Sequence, residues 1–155
     1  MPVVARADLL YAVIGHLLTF PELTSLIDSA AGWQPGKGSG ARIAPTFQDG
    51  WRMPTKSVWL KKSGGPAGDY EAGLHTTRLD ARCYGATGFE ADQVWAMLDA
   101  ILVPATGERF VSFTRGGCRV VDIRPEAGES SDRERDTRYP YVFRPYLVDW
   151  WGVAA

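Results

Sequence analysis

Residues 76–102 read TTRLDARCYGATGFEADQVWAMLDAIL, and this stretch decides the fold. Its first part alternates. Leu79, Ala81 and Cys83 point one way, while Arg78, Asp80 and Arg82 point the other. A period of two is a strand with one face against a core and the other face charged. The strand is expected over residues 72–84. Gly85-Ala86-Thr87-Gly88 interrupts it, and the period then changes to that of a helix over residues 89–102. Val94, Leu98 and Ile101 form the central apolar stripe, with Ala91 and either Met97 or Trp95 beside it. Thr87 or Gly88 begins the helix, and Glu90 is placed to meet backbone amides that lack helical partners. Pro104 and Gly107 close the region. A half-buried strand feeding an amphipathic helix sets up a sheet with a helical layer on one side.

Upstream, residues 8–20 read DLLYAVIGHLLTF. Leu10, Ile14, Leu17 and Leu18 recur at helical spacing, with Asp8 as a plausible cap. Pro21 stops or redirects this helix. A second helical turn is expected over residues 22–31, where Leu23, Leu26 and Ile27 share a face and Gly32 ends the pattern. Residues 32–54 are crowded with Gly and Pro and read as irregular. KSVWLKK, residues 56–62, is a strand followed by the turn signal Gly-Gly-Pro.

Downstream, strands fit residues 109–113 and 118–124, joined by a turn at Arg115-Gly116-Gly117. The apolar-free stretch GESSDRERD that follows reads as a mobile loop or hairpin tip. The last strand covers residues 139–151, YPYVFRPYLVDWW, where Pro140 and Pro145 remove ladder donors and suggest an edge, a bulge or a break. These elements predict an α+β fold: a mainly antiparallel sheet of four to five strands with helices packed on one face. One domain spans residues 1–155, with flexible loops near 32–54 and 125–137.

Composition narrows the function. Seventeen basic and eighteen acidic side chains leave a net charge of -1, so nothing in the overall balance attracts a polyanion. No signal sequence and no apolar run of membrane-spanning length is evident. Cys83 and Cys118 are the only cysteines, both in strand-like apolar segments, and are read as buried free thiols. Six tryptophans are many for this length, and aromatic residues concentrate at interface centres.

A search for chemistry finds little. QPGKGSGARI lacks the spacing of a phosphate-binding loop. His16 and His75 are the only imidazoles; the first sits in an apolar helix and the second near a strand start. No metal-binding motif, nucleophile elbow or dinucleotide fingerprint appears. No catalytic residue, metal ligand or cofactor is assigned, and the chain is not expected to be an enzyme.

The order of these segments resembles the tail completion or tail terminator proteins of long-tailed bacteriophages and related phage-like particles. DLLYAVIGHLLTF, GARIAPTFQDG, KSVWLKK, the opening 27-residue stretch and DTRYPYVFRPYLVDWW carry the resemblance along most of the chain. It implies a structural virion protein that forms a ring, commonly a hexamer, which caps the tail tube, ends its elongation and presents a joining surface to the head-side connector. The implied partners are copies of itself, the tail tube protein and the head-tail connector protein, with DNA passing through the ring without sequence-specific binding and no membrane. The implied location is the head-proximal end of the virion tail, with assembly in the host cytoplasm. Trp51, Trp59, Arg78, Asp80, Arg82, Trp150 and Trp151 are the candidate assembly-interface residues. Another ring component, such as a connector adaptor, is the alternative; a small ligand-binding domain or an enzyme comes after it.

Overall fold

The computed structural model describes residues 9–27, 43–44, 56–64, 73–103, 112–135 and 138–153. Helix α1 (Leu9–Leu17) buries Leu10, Val13, Ile14 and Leu17. It ends where Thr19 donates its hydroxyl to the His16 carbonyl at 2.7 Å. Pro21 then occupies the first position of α2 (Pro21–Leu26), where its missing N–H costs nothing, so the proline redirects the chain into a new helix. The proposed cap Asp8 lies outside the described residues.

The strands are β1 (Ile43–Ala44), β2 (Ser57–Lys62), β3 (Leu74–Tyr84), β4 (Phe113–Arg115), β5 (Cys118–Pro125), β6 (Ser130–Arg133) and β7 (Pro140–Gly152), with α3 (Gly88–Leu102) between β3 and β4. They form one curled sheet in the order β1-β2-β3-β7-β5-β4, with β6 also on β7. Every pairing is antiparallel except β1 with β2. The α+β architecture with helices on one face is as expected, but the sheet has seven strands among the described residues rather than four or five.

The core lies between the helices and one sheet face. Val58 and Leu60 of β2, Leu79, Ala81 and Cys83 of β3, and Tyr146 and Val148 of β7 meet Val94, Leu98 and Leu102 of α3. Trp95 and Met97 both pack at its margin. The entry to α3 is capped reciprocally. Thr87 accepts the Glu90 amide at 3.2 Å, while the Glu90 carboxylate accepts the Ala86 amide at 2.8 Å.

Four expectations need correction. First, residues 43–44 lie in the stretch read as irregular, yet Ile43 is buried and its strand runs parallel to β2. Second, of the strand expected over residues 109–113, residues 109–111 lie outside the described residues, and β4 runs Phe113–Arg115, past the expected end and into the residues read as a turn. Gly116 and Gly117 both adopt positive φ, 59° and 75°, and a two-residue turn of that kind pairs Arg115 directly with Cys118. Third, residues 130–133 form a strand rather than a loop or hairpin tip. All four are exposed, so no apolar alternation marks them.

Fourth, Pro145 sits within an unbroken 13-residue strand in the sheet interior. The Pro145 carbonyl accepts the Glu126 amide at 3.0 Å, so its nitrogen faces the same side. There β5 ends opposite Tyr146 and β6 starts opposite Phe143. The missing donor therefore faces the gap between two successive neighbours. Pro140 is the first residue of its strand, a position prolines tolerate.

α1 is held to β4 by ring contacts. His16 stacks on Phe113 with centroids 3.7 Å apart, and Phe20 meets it edge-on at 5.1 Å. Burial, and then the nearby Arg115 charge, lowers the imidazole pKa below its ordinary 6.5. The unfolded chain thus takes up this proton more readily than the native chain. The resulting stabilisation is present above 6.5 and is lost as pH falls through the lowered native value. Urea unfolding of His16→Phe is expected to show a shallower fall in stability than wild type on acidification to about pH 5. An unchanged slope contradicts this.

Candidate assembly face

The sheet face opposite the helices carries the alternate residues of β2, β3, β5 and β7. From β3 come Thr76, Arg78, Asp80, Arg82 and Tyr84; from β7 come Tyr141, Phe143, Leu147, Asp149 and Trp151. Register places Trp59 beside Arg82, and sets Arg78 and Arg124 on either side of Leu147. The face is therefore charged in its outer columns and aromatic or aliphatic along β7.

Most of its charges are paired, in three groups along the strands; Lys61 and Arg119 belong to none of them. At one end Arg82 reaches Glu134 at 3.1 Å, and its guanidinium lies 5.0 Å from the Trp59 ring and 4.9 Å from the Tyr141 ring. The Tyr84 hydroxyl donates to the same Glu134 carboxylate at 2.9 Å. Burial pushes the Tyr84 pKa well up, which keeps the phenol protonated and donating. In the middle, Arg78 bonds Asp80 at 2.9 Å and contacts Glu126 at 3.3 Å. The Asp80 hydrogen bond and charge raise the Arg78 pKa. At the far end Asp149 accepts from Thr76 at 2.7 Å and from Arg124 at 2.6 Å.

Such a face presents no naked field of one sign. Pairs this accessible to water add little stability. Their consequence is geometric: they hold long side chains in fixed positions around Phe143, Leu147 and Trp151, all half-buried. A fixed, neutralised surface with apolar and aromatic side chains suits protein contact, because little ordering remains to be done on docking.

Of the sequence candidates, Trp59, Arg78, Asp80, Arg82 and Trp151 share this face. Trp150 is on the helix side, where it stacks on His75 at 4.5 Å and donates to the Thr77 hydroxyl at 3.0 Å. Trp51 lies outside the described residues. Sequence reading missed Glu134, Tyr141, Arg124 and Asp149; for the β7 residues, alternation along an uninterrupted strand was the signal, obscured by Pro145. Cys83 and Cys118 are both free and buried, and burial raises the Cys83 pKa, which leaves it an inert thiol. No cluster of three or more His, Cys, Asp or Glu suited to a metal ion occurs among the described residues.

No protein family and no curated protein matches the sequence. A solved structure does. The chain is similar in fold to a chain of the virion of a native gene transfer agent (GTA) particle, with a TM-score of 0.59 and 18% identity. The match covers 98% of this chain and 100% of that chain, so the likeness extends over the whole fold.

Proposed function

We propose that this chain is a structural subunit of a phage-like particle. Copies of it close into a hexameric ring on the head-proximal end of the tail tube, stop tube elongation and offer the joining surface for the head-side connector. The observation that carries this reading is the end-to-end likeness in fold to a chain of the GTA virion. The open sheet face supports it: paired charges and half-buried aromatics form a preset contact surface.

The physics of the role is simple. A head-to-tail interface repeated by rotation closes into a ring and leaves two unlike annular surfaces. One fits the last ring of the tube, and the other is left for a different partner. DNA crosses the opening without base recognition.

The test is to add purified chain to polymerising cognate tail-tube protein and view the products by negative-stain electron microscopy. Tubes of limited length with a ring at one end are expected. Tubes that grow unchanged and uncapped contradict the terminator role and favour a connector adaptor or a binding domain.

A further inference from the structure

Among the described residues the sheet leaves two strands with an unpaired outer side at the same level, β1 on one side and β6 on the other. Register shows the match. Ile43 pairs with Val58, Val58 with Cys83, Cys83 with Val142, and Val142 with Ser131. Ala44 traces across in the same way to Ser130. Directions match as well. β1 and β2 run one way, β3 the other, β7 with β2, and β6 with β3. A second copy set beside the first with its sheet facing the same way brings β6 antiparallel to the neighbouring β1.

The backbone of β6 is presented for this. The carbonyls of Tyr139 and Pro145 accept from Glu134 and Glu126, so odd-numbered residues of β7 turn their hydrogen-bonding groups toward β5 and β6. Phe143 and Tyr141 therefore bond to Ser130 and Asp132, their partners in register, and Ser131 and Arg133 face outward; the Arg133 N–H already donates to the Asp132 carboxylate at 2.7 Å, so Ser131 supplies the outward donor. β6 has neither proline nor bulge, two common guards of an open edge. Charge adds one contact. β2, next to β1, exposes Lys61 and Lys62 and carries no carboxylate, and the exposed Glu129, just before β6, lies near their level; within β6 Asp132 and Arg133 balance each other.

We infer that β6 is the strand-addition edge for a second copy of this chain, which it meets antiparallel at β1, with the lysines of β2 near the level of Glu129. This deepens the self-assembly reading above and names its interface. The overlap is short, so it fixes register while the charges add attraction. Repeated head to tail, it makes one sheet that continues from subunit to subunit around a ring.

Native mass spectrometry of the full chain over a concentration series tests the inference. Wild type is expected to form a closed oligomer. Ser131→Pro removes an outward donor and leaves the bonds to β7 intact; it should melt with wild type and dissociate at least about tenfold more readily. Ser130→Pro, aimed at β7, should instead destabilise the fold. Reversing charge with Glu129→Lys should weaken assembly without changing melting. A monomer at every concentration, an oligomer indifferent to both kinds of variant, or unfolding of Ser131→Pro overturns the assignment. The two readings fail separately. Capping that survives in an indifferent oligomer keeps the ring and moves its interface elsewhere. An edge-dependent oligomer that caps no tube keeps the interface and removes the terminator role.

Discussion

Asp99→Ala is expected to lower the melting temperature by about 6–12 °C, a loss of about 3 kcal/mol for a chain of this size. Asp99 projects from α3 toward β7. One of its oxygens accepts from Arg144 at 2.8 Å and from the Tyr146 hydroxyl at 2.7 Å. Arg144 is the one charged side chain of β7 on the helix side, and it is 16% exposed. Its guanidinium also approaches the Trp95 ring at 5.9 Å and donates to the Ala127 carbonyl at 3.2 Å. Removing the carboxylate strands a largely buried cation and a buried phenol whose pKa burial has already pushed far up. Loss of one partner from a buried pair is costly because the other cannot recover its water. Asp99→Asn keeps an acceptor and should lose about half as much. Thermal unfolding followed by circular dichroism reads both, and equal melting of Asp99→Ala and wild type contradicts the account.

Gly85→Ala is the second large effect, expected to cost about 2–3 kcal/mol. Gly85 lies between β3 and α3, where strand and helix come together. A Cβ there would sit 2.6 Å from the Ala91 amide nitrogen and 2.6 Å from the Glu90 Cβ. Backbone cannot swing aside as a flexible side chain can, so α3 must shift, and its capping bonds from Thr87 and Glu90 shift with it. Gly88, three residues on, has nothing within 4 Å of the same added atom. Gly88→Ala should therefore melt close to wild type. The pair separates a close approach from the general effect of replacing glycine, and equal losses at both positions contradict the reading.

Much of this was legible in the sequence, and the legible parts share a cause. β3 and α3 each bury one face, and burial writes a period into the chain: Leu79-Ala81-Cys83 at two, Val94 and Leu98 at helical spacing. Elements that bury little write none. β6 exposes all four residues, and β1 spans only two, so neither carries a period to read. Pro145 misled in another way. A proline is excluded from a central strand only where its missing N–H is needed, and here it faces the gap between β5 and β6. That gap belongs to the topology and cannot be seen locally. The open face was half legible for the same reason. Alternation placed Arg78, Asp80 and Arg82 together, while their partners Glu126 and Glu134 come from segments around β6 that long-range pairing delivers.

The separation of the two tryptophans at the C-terminal end of β7 follows from the same rule. Neighbours in a strand point to opposite faces. Trp151 joins the open face, and Trp150 goes to the helix side to meet His75 and Thr77. Treating the pair as one aromatic patch ignores the pleat.

The central claim is that this chain ends tail-tube growth and supplies the joint to the head. Producing the particles without the chain, and measuring tail length and head attachment by electron microscopy, tests it most directly. The account predicts tubes of uncontrolled length without heads, restored to joined particles of uniform tail length when the chain is supplied. Particles that still join, with tails of normal length, would contradict it.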